Sequence, residues 1–156
     1  QAILESALNR EFTLFSAPKR TETRQSMLAR SAVFSERVRQ SYDFRCAVSG
    51  IRVRTPSGLS EVEAAHIVPL RESGTNDYRN GICLAQTLHW AFDHGLFGIS
   101  EDRTVYIPKL ACKLNDGEFL TQFHGNRIAE PEDSSFQVHE DALRWHLENR
   151  VKQWEE

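Results

Sequence analysis

The feature that most constrains the fold is a strand, loop, strand and helix pattern in the middle of the chain. Residues 59–67 alternate between apolar and polar types, which predicts a half-buried strand running into His66. After a loop, residues 81–84 predict a second short strand. Residues 86–94 have helical spacing, and Gly95 stands where a left-handed residue commonly ends a helix. The pattern predicts a domain of the α+β class.

Helices are also expected on both sides of this unit. From Thr23 to about Tyr42, apolar residues recur at helical spacing, with arginines on the other side. Near the C-terminus, residues 140–154 place apolar side chains on one stripe, which predicts a helix packed on the domain. The other expected elements are a strand-like piece at residues 51–54, a strand pair at residues 96–100 and 105–108, and a polar loop through His124 and Pro131.

The length of 156 residues suits a single domain. We expect residues 1–22 to be a leader or the end of a preceding module. Residues 23–156 would then form the domain, with the central motifs at about residues 42–108. The chain begins at Gln1 instead of Met, so we expect it to be part of a longer polypeptide.

The cysteines argue against two kinds of small, cross-linked domain. Cys46, Cys83 and Cys112 are widely spaced and include no Cys-x-x-Cys pair. This count and spacing disfavour a disulfide framework and a four-cysteine zinc site, and favour reduced thiols in a cytoplasm. No apolar run approaches the roughly 18 residues that a membrane span needs. We therefore expect a cytoplasmic protein with no membrane partner.

The charge is unevenly distributed along the chain. Residues 1–54 hold ten lysines and arginines against five acidic residues, whereas residues 55–156 hold nine against seventeen. A basic half can bind a phosphate backbone locally although the net charge is −3. Solvated helix faces would give the same pattern. Both explanations stay open at this point.

Four polar residues of the central segment could act together on a phosphodiester. His66 ends a strand. A histidine side chain titrates near pH 6.5, so at cellular pH its neutral imidazole can take a proton from water. Asn80 ends the following loop, where its amide can bond to backbone near His66 and fix the loop. His89 and Asp93 are four residues apart on one helix face, so an imidazole and a carboxylate could hold Mg²⁺, Mn²⁺ or Zn²⁺ together.

Each of these residues has an ordinary structural explanation when it is taken alone. A histidine after an apolar run is commonly half-buried and satisfied, a His-x-x-x-Asp pair is commonly a surface pair, and Asn-Gly is commonly a turn. The conjunction of all of them, in this order along the chain, is much more specific. It predicts a metal-dependent nuclease.

The same segments resemble a known family. The stretches Ala65-His66-Ile-Val-Pro69, Asn80-Gly-Ile-Cys-Leu84 and His89-x-x-Phe-Asp93-x-Gly95 are similar to those of the HNH endonucleases, the ββα-metal or His-Me finger class. The likeness extends upstream to residues 42–50 and covers roughly residues 24–108. It implies a ββα-metal core with flanking N- and C-terminal helices.

The resemblance also implies roles for individual residues. His66 would be the general base, and Asn80 would hold the loop or touch the metal. His89 would be the last histidine of the motif and a metal ligand, with Asp93 as a second helical ligand. Many members carry Asp or His before the base, where this chain has Ala65. Glu63, on the same strand face as Ala65, is a candidate to replace that ligand or to orient an arginine on the scissile phosphate; ordinary strand polarity is the alternative.

The implied activity is hydrolysis of double-stranded DNA with one divalent cation. Mg²⁺ or Mn²⁺ is the expected ion, with Zn²⁺ or Ni²⁺ as alternatives. We expect the catalytic part of a larger restriction or defence protein, with a targeting domain in the same polypeptide. A homodimer is compatible with this reading, because a double-strand break needs two nicks. Two other interpretations stay open: a degraded HNH-fold module that binds DNA without cutting it, and a nuclease toxin.

The remaining polar candidates are weaker. Arg45 and Arg71 could clamp phosphate as guanidinium forks, although solvated surface arginines look the same in a sequence. His94 is expected to point away from the ligand face of its helix. The histidines and tryptophans interpreted as structural are His94, His124, His139, His146, Trp90, Trp145 and Trp154.

Overall fold

The computed structural model describes residues 11–16 and 23–156. The described chain combines helices with two small antiparallel sheets, which confirms the α+β class. In chain order the elements are α1 (Arg24–Ser41), β1 (Glu63–His66), β2 (Gly81–Leu84), α2 (Gln86–Asp93), β3 (Gly98–Ile99), β4 (Val105–Tyr106), α3 (Lys109–Leu114) and α4 (Glu140–His146).

The strands β1 and β2 pair antiparallel and lead directly into α2. The register places His66 opposite Gly81, and Ala65 opposite Ile82. All four residues of β2 are buried, because α1 packs on one side of this hairpin. Gly81 permits the close approach of α1: a Cβ atom there would lie only 2.6 Å from Cζ of Phe34. The predicted order of two strands and a helix is confirmed.

Helix α1 has the predicted length but a narrower buried face. Thr23 caps its start, and its hydroxyl accepts a hydrogen bond from the Ser26 amide at 3.2 Å. Phe34 and Val38 are buried against the β1–β2 hairpin, whereas Met27 and Val33 are 51% and 54% exposed. Apolar spacing along the sequence therefore located the helix but overestimated how much of it packs on the domain.

The C-terminal helix changes its pitch part-way. Residues of α4 up to His146 are α-helical, Leu147–Val151 forms a π-helical turn and Lys152–Trp154 a 3₁₀ turn. This segment crosses the end of α2 so closely that a Cβ on Gly95 would lie 2.1 Å from the carbonyl oxygen of Arg150. Gly95 also has a positive φ of +70°, as its predicted position after the helix requires.

Three expectations about secondary structure need correction. Residues 51–54 form no strand and contribute only an isolated bridge between Arg54 and Ser60. The strand predicted at residues 59–67 is restricted to β1. The segment after Pro108, expected to be a polar loop, begins with α3. This helix has six residues, which are too few to show a helical period in the sequence.

The segment before α1 contacts the domain where the structure describes it. The amide of Ser16 donates to the carbonyl of Ser73 at 2.7 Å. Phe12 stacks on His139 with ring centroids 4.2 Å apart. The predicted leader of residues 1–22 stays a prediction, since most of it lies outside the described residues; residues 11–16 pack on the domain.

The cysteines are free thiols, as expected. Cys46 and Cys83 are buried, and Cys112 is partly buried. Burial, followed by the neighbouring Cys46, raises the pKa of the Cys83 thiol to about 12, so this group is an inert part of the core. Among the described helices, none combines the length and the apolar character that crossing a bilayer demands.

Candidate active site

His66 occupies the last position of β1, with its ring held on two sides. The imidazole stacks on Phe34 of α1, with centroids 4.0 Å apart and planes 12° from parallel. Its Nε2 lies 2.8 Å from Oδ1 of Asn76 in the loop between the strands. The position of His66 at the end of β1 therefore sets the direction of its ring, while Phe34 of α1 and Asn76 of the loop restrict the movement of the ring.

Burial keeps His66 neutral at physiological pH. Desolvation lowers the pKa of its imidazole below 6.5, and the hydrogen bond to Asn76 opposes part of this effect. The charge of His89 lowers the pKa of His66 further, whereas that of Asp93 raises it. The 3.2 Å contact between Glu63 of β1 and His89 of α2 places this helix against the strand that carries His66. A neutral imidazole is the form that can accept a proton.

Asn80 closes the loop that follows His66. It is fully buried at the end of the 3₁₀ turn Tyr78–Asn80, directly before β2. Its Oδ1 accepts from the Val68 amide at 2.9 Å, while its Nδ2 donates to the carbonyls of Val68 at 3.1 Å and Thr75 at 2.9 Å. The predicted hydrogen bonding of this amide to the loop is found; a role for Asn80 in catalysis stays a prediction.

His89 lies between two carboxylates. On α2, its Nε2 is 3.3 Å from Oδ2 of Asp93, one turn further along. On β1, Oε1 of Glu63 is 3.2 Å from Nδ1 of His89. The side chains are partly accessible, with exposed fractions of 23% for His89 and 44% for Asp93. The imidazole is thus fixed at both nitrogens while its Asp93 side remains open to solvent.

The two side chains on α2 present ligand atoms that fit a divalent cation. A neutral imidazole that donates through Nδ1 to Glu63 presents a lone pair at Nε2, so Nε2 and Oδ2 of Asp93 are two acceptors at 3.3 Å. Such a pair is favourable only when a proton or a cation lies between them. Two neighbouring ligands of an octahedral Mg²⁺, each about 2.1 Å from the ion, stand about 3 Å apart.

The protein offers this ion few ligands. Ala65, before His66, is completely buried and presents only a methyl group to the core. Within residues 11–16 and 23–156, no group of three His, Cys, Asp or Glu side chains is arranged to hold a metal ion. His89 and Asp93 are therefore the two candidate ligands, with the other positions left to water and phosphate oxygens. The Glu63 carboxylate contacts Nδ1 of His89, so it is assigned to the support of this histidine and not to the cation itself.

The weaker candidates separate into surface and structural residues. Arg45 lies 4.0 Å from Asp43 in an exposed ion pair. Arg71 is exposed, and in the part of the chain that the structure describes it makes no hydrogen bond or ion pair. The histidines interpreted as structural each contact backbone: His94 with Trp90, His124 with Ile107, His139 with Asp141 and His146 with Phe92.

Sequence reasoning missed two residues of this site. In the sequence, Phe34 is one of the apolar residues at helical spacing between Thr23 and Tyr42, and Asn76 is one polar residue of the loop that follows His66. Periodicity places Phe34 on a face but cannot indicate which side chain it meets. Asn76 carried a weak signal, because it is an amide inside the loop that Asn80 closes.

Comparison with known proteins identifies a family for the segment that contains these residues. Residues 46–100 match the family model described as HNH endonuclease. The chain contains an HNH endonuclease domain. The matched residues include β1, β2, α2 and the four polar residues at positions 66, 80, 89 and 93. Helix α1, which carries Phe34, lies outside the match.

A solved structure extends the similarity beyond these residues. The HNH domain and its surroundings are similar to a structure described as a modification-dependent TagI restriction endonuclease, with a TM-score of 0.55 and 26% identity over 75% of this chain. The chain spans only 37% of the length of that structure. Among curated proteins, no sequence matches the chain.

Proposed function

We propose that this HNH domain hydrolyses phosphodiester bonds in double-stranded DNA with the help of one divalent cation. The observation that carries the proposal is the position of His66. It is a half-buried, neutral imidazole whose pKa responds to His89 and Asp93, the pair that fits a cation. A base and a cation site on the same ββα unit are what metal-assisted hydrolysis requires.

His66 would act as the general base. Because its pKa is lowered below 6.5, it is unprotonated at neutral pH and can accept a proton from the attacking water. Phe34 covers one face of the ring, so water and phosphate would approach His66 from the part of the ring that Phe34 leaves open. Asn80 would contribute by holding the loop against the strand that carries His66.

His89 and Asp93 would hold the cation. When bound, a divalent cation supplies positive charge that stabilises the charge developing on the phosphate and on the leaving oxygen. Mg²⁺ and Mn²⁺ suit these donors, with Zn²⁺ or Ni²⁺ as alternatives. Glu63 would orient His89 through Nδ1, as carboxylates commonly do for histidine ligands.

The basic N-terminal half would bind the DNA backbone. Arginines project from the surface of α1 and from the loops between α1 and β1, where they can neutralise phosphates. Two nicks are needed for a double-strand break, and a homodimer would supply them. The exposed arginines of this region are Arg24, Arg30, Arg37, Arg45, Arg52 and Arg54.

The restriction context is part of the same proposal. It is supported by the similarity to a structure described as a modification-dependent restriction endonuclease, of which this chain spans little more than a third. We propose that a targeting domain elsewhere in the same polypeptide selects the DNA and that the HNH domain cuts it in the cytoplasm.

The test is a plasmid-nicking assay with Mg²⁺, Mn²⁺ or EDTA. We expect nicking that requires the metal, and a loss of roughly 100-fold or more in His66→Ala, the range for a missing general base. Mn²⁺ binding, measured by calorimetry, should be retained in this variant. His139→Asn is the matched control, because asparagine keeps the helix cap that His139 provides. Cleavage by His66→Ala at the parent rate would contradict the assignment.

Ala65 favours one alternative function. A site with two protein ligands could belong to a module that binds DNA without cutting it. Intact plasmid in every metal, together with a gel shift of the same DNA, would support this alternative over the nuclease.

A further inference from the structure

We infer that Asn76 is a positioning residue for His66, which fixes the imidazole so that Nε2 carries the proton and Nδ1 is the basic atom. The inference rests on the proposed function for its catalytic meaning. The tautomer itself is a property of the folded domain and can be measured without cleavage.

The hydrogen bond between the two side chains defines the tautomer. Nε2 of His66 lies 2.8 Å from Oδ1 of Asn76, well within hydrogen-bonding distance. A carboxamide oxygen can only accept, so Nε2 must donate. In a neutral ring the other nitrogen then has a free lone pair. Among the residues that the structure describes, none bonds to Nδ1, which leaves that lone pair available to water.

The backbone around Asn76 is held on both sides. The Thr75 carbonyl accepts from Nδ2 of the buried Asn80 at 2.9 Å. The Asp77 amide donates to the hydroxyl of Thr75 at 3.3 Å, and Oδ1 of Asp77 accepts from the Arg79 amide at 2.9 Å. Among the described residues, the Asn80 side chain makes hydrogen bonds to Val68 and Thr75 and none to the His66 ring. Its effect on the base would pass through the loop to the side chain of Asn76.

Phe34 restricts the remaining freedom of the ring. The imidazole and the phenyl ring are nearly parallel at 4.0 Å, so the ring cannot tilt without losing this contact. Stacking fixes the plane but does not distinguish the two nitrogens. The hydrogen bond to Asn76 supplies that distinction, and the two contacts together define which edge faces the substrate.

The groups around His66 come from three elements. Helix α1 contributes the uncharged Phe34, the loop contributes the uncharged Asn76, and α2 contributes His89 and Asp93, whose charges act in opposite directions on His66. Asn76 is therefore the polar side chain bonded to the ring. Its replacement should change the tautomer without removing a charge from the site.

The first test is the ring tautomer, read from two-bond proton–nitrogen correlations of the ¹⁵N-labelled domain at pH 7.5. We expect His66 to be protonated at Nε2 in the parent. Asn76→Ala should give a mixture of tautomers, and Asn76→Asp should restore the Nε2–H form, because a carboxylate of the same shape accepts the same bond. Asn149→Ala is the control, since Asn149 is exposed and remote from His66 in sequence, and its side chain bonds to the Trp145 carbonyl and to no other described residue.

The second test is the nicking rate under saturating Mn²⁺. Asn76→Ala should lower kcat about tenfold, a part of the 10²-fold or greater contribution of a general base, with little change in KM. Asn76→Asp should recover most of the lost rate. Protonation of His66 at Nδ1 in the parent, or an unchanged tautomer in Asn76→Ala, would overturn the inference. A parent that fails to cut would contradict the proposed function, and the spectra would still decide the role of Asn76.

Discussion

At the scale of single residues, His89 is the side chain on which the cation site depends. It is the one imidazole of α2 with a carboxylate near each nitrogen: Glu63 at 3.2 Å and Asp93 at 3.3 Å. The two acids have different tasks in the proposed site. Glu63 orients the ring, and Asp93 shares the ion with it. Their contributions can be separated, because they lie on different elements and contact different atoms.

We predict that Glu63→Ala weakens Mn²⁺ binding about tenfold, at the lower end of the range for partners of metal-binding histidines. The lower end is expected because the Glu63 side chain is 49% exposed, so water can replace part of its bond. Glu63→Gln should lose less, since its amide oxygen can still accept from Nδ1. Titration calorimetry measures both.

Glu118→Ala is the control for the loss of one exposed negative charge. If Glu63→Ala and Glu118→Ala bind Mn²⁺ equally well, Glu63 does not orient His89 and contributes only to the general field of the protein.

At the scale of elements, the loop between β1 and β2 is held from inside by one amide. Asn80 is completely buried and makes three hydrogen bonds to the loop backbone, two to Val68 and one to the Thr75 carbonyl. Buried backbone groups that lose their partner cannot turn to water and are costly. The loop therefore owes its shape to a side chain at its own end, which also keeps β1 in register with β2.

We predict that Asn80→Ala lowers the free energy of unfolding by at least about 2 kcal/mol, because it leaves the buried Val68 amide and carbonyl and the partly buried Thr75 carbonyl without partners. Asn80→Asp should be at least as harmful, since a carboxylate can accept from the Val68 amide but repels the two carbonyls. Urea unfolding of both variants measures the effect.

Hydrogen exchange gives a local check on the same prediction. The Val68 amide should exchange faster in Asn80→Ala, while amides in α4 change no more than the overall stability requires. An unchanged urea midpoint would show that water replaces the amide inside the loop.

At the scale of the whole molecule, His146 joins the C-terminal segment to the ββα unit. Its ring stacks on Phe92 of α2 at 3.7 Å, and its Nε2 donates to the Phe92 carbonyl at 2.8 Å. The other nitrogen, Nδ1, is buried without a hydrogen-bond partner among the described residues. A second proton on this ring would have no acceptor, and burial accordingly lowers the pKa of His146 to about 4.

This contact makes stability depend on pH with a definite sign. In the unfolded chain a histidine titrates near pH 6.5, so between pH 6.5 and about 4 the unfolded state binds a proton that folded His146 refuses. Stability is complete above pH 6.5 and falls as the pH decreases. We expect the free energy of unfolding to be roughly 2 kcal/mol lower at pH 5 than at pH 7.5 from this group.

Urea unfolding at the two pH values measures this difference. His146→Leu should be less stable than the parent at pH 7.5 and should show a smaller decrease at pH 5. His139→Asn should keep the decrease of the parent. An equal decrease in the parent and in His146→Leu would show that other groups cause the acid sensitivity.

The sequence predicted the central unit well because its signals are local. The short apolar run of β2 and the position of Gly95 report on neighbouring residues, and both predictions are confirmed. The alternation before His66 also marks a strand, although only Glu63–His66 of residues 59–67 forms it. The resemblance to HNH endonucleases was confirmed by the family match to residues 46–100. The pairing of His89 with Asp93 follows from helical spacing alone.

The sequence patterns could not predict contacts between distant segments of the chain. Nothing near Phe34 indicates that it meets His66, and nothing near His146 indicates that it bonds to Phe92. The π-helical turn at Leu147–Val151 is similar in kind, since it arises where the segment crosses Gly95 and not from its own composition. Helix α3 was missed for a local reason, because it is too short to establish a period.

The stacking of His66 on Phe34 sets the size of the smallest unit that could carry the proposed activity to another protein. One of the two described contacts of the His66 ring comes from a helix that precedes the residues matched by the family model. An excised ββα hairpin, or a chimera that exchanges the motif alone between proteins, would contain His66 but lack the Phe34 ring on which it stacks. A graft of this ββα unit onto another scaffold should therefore include α1.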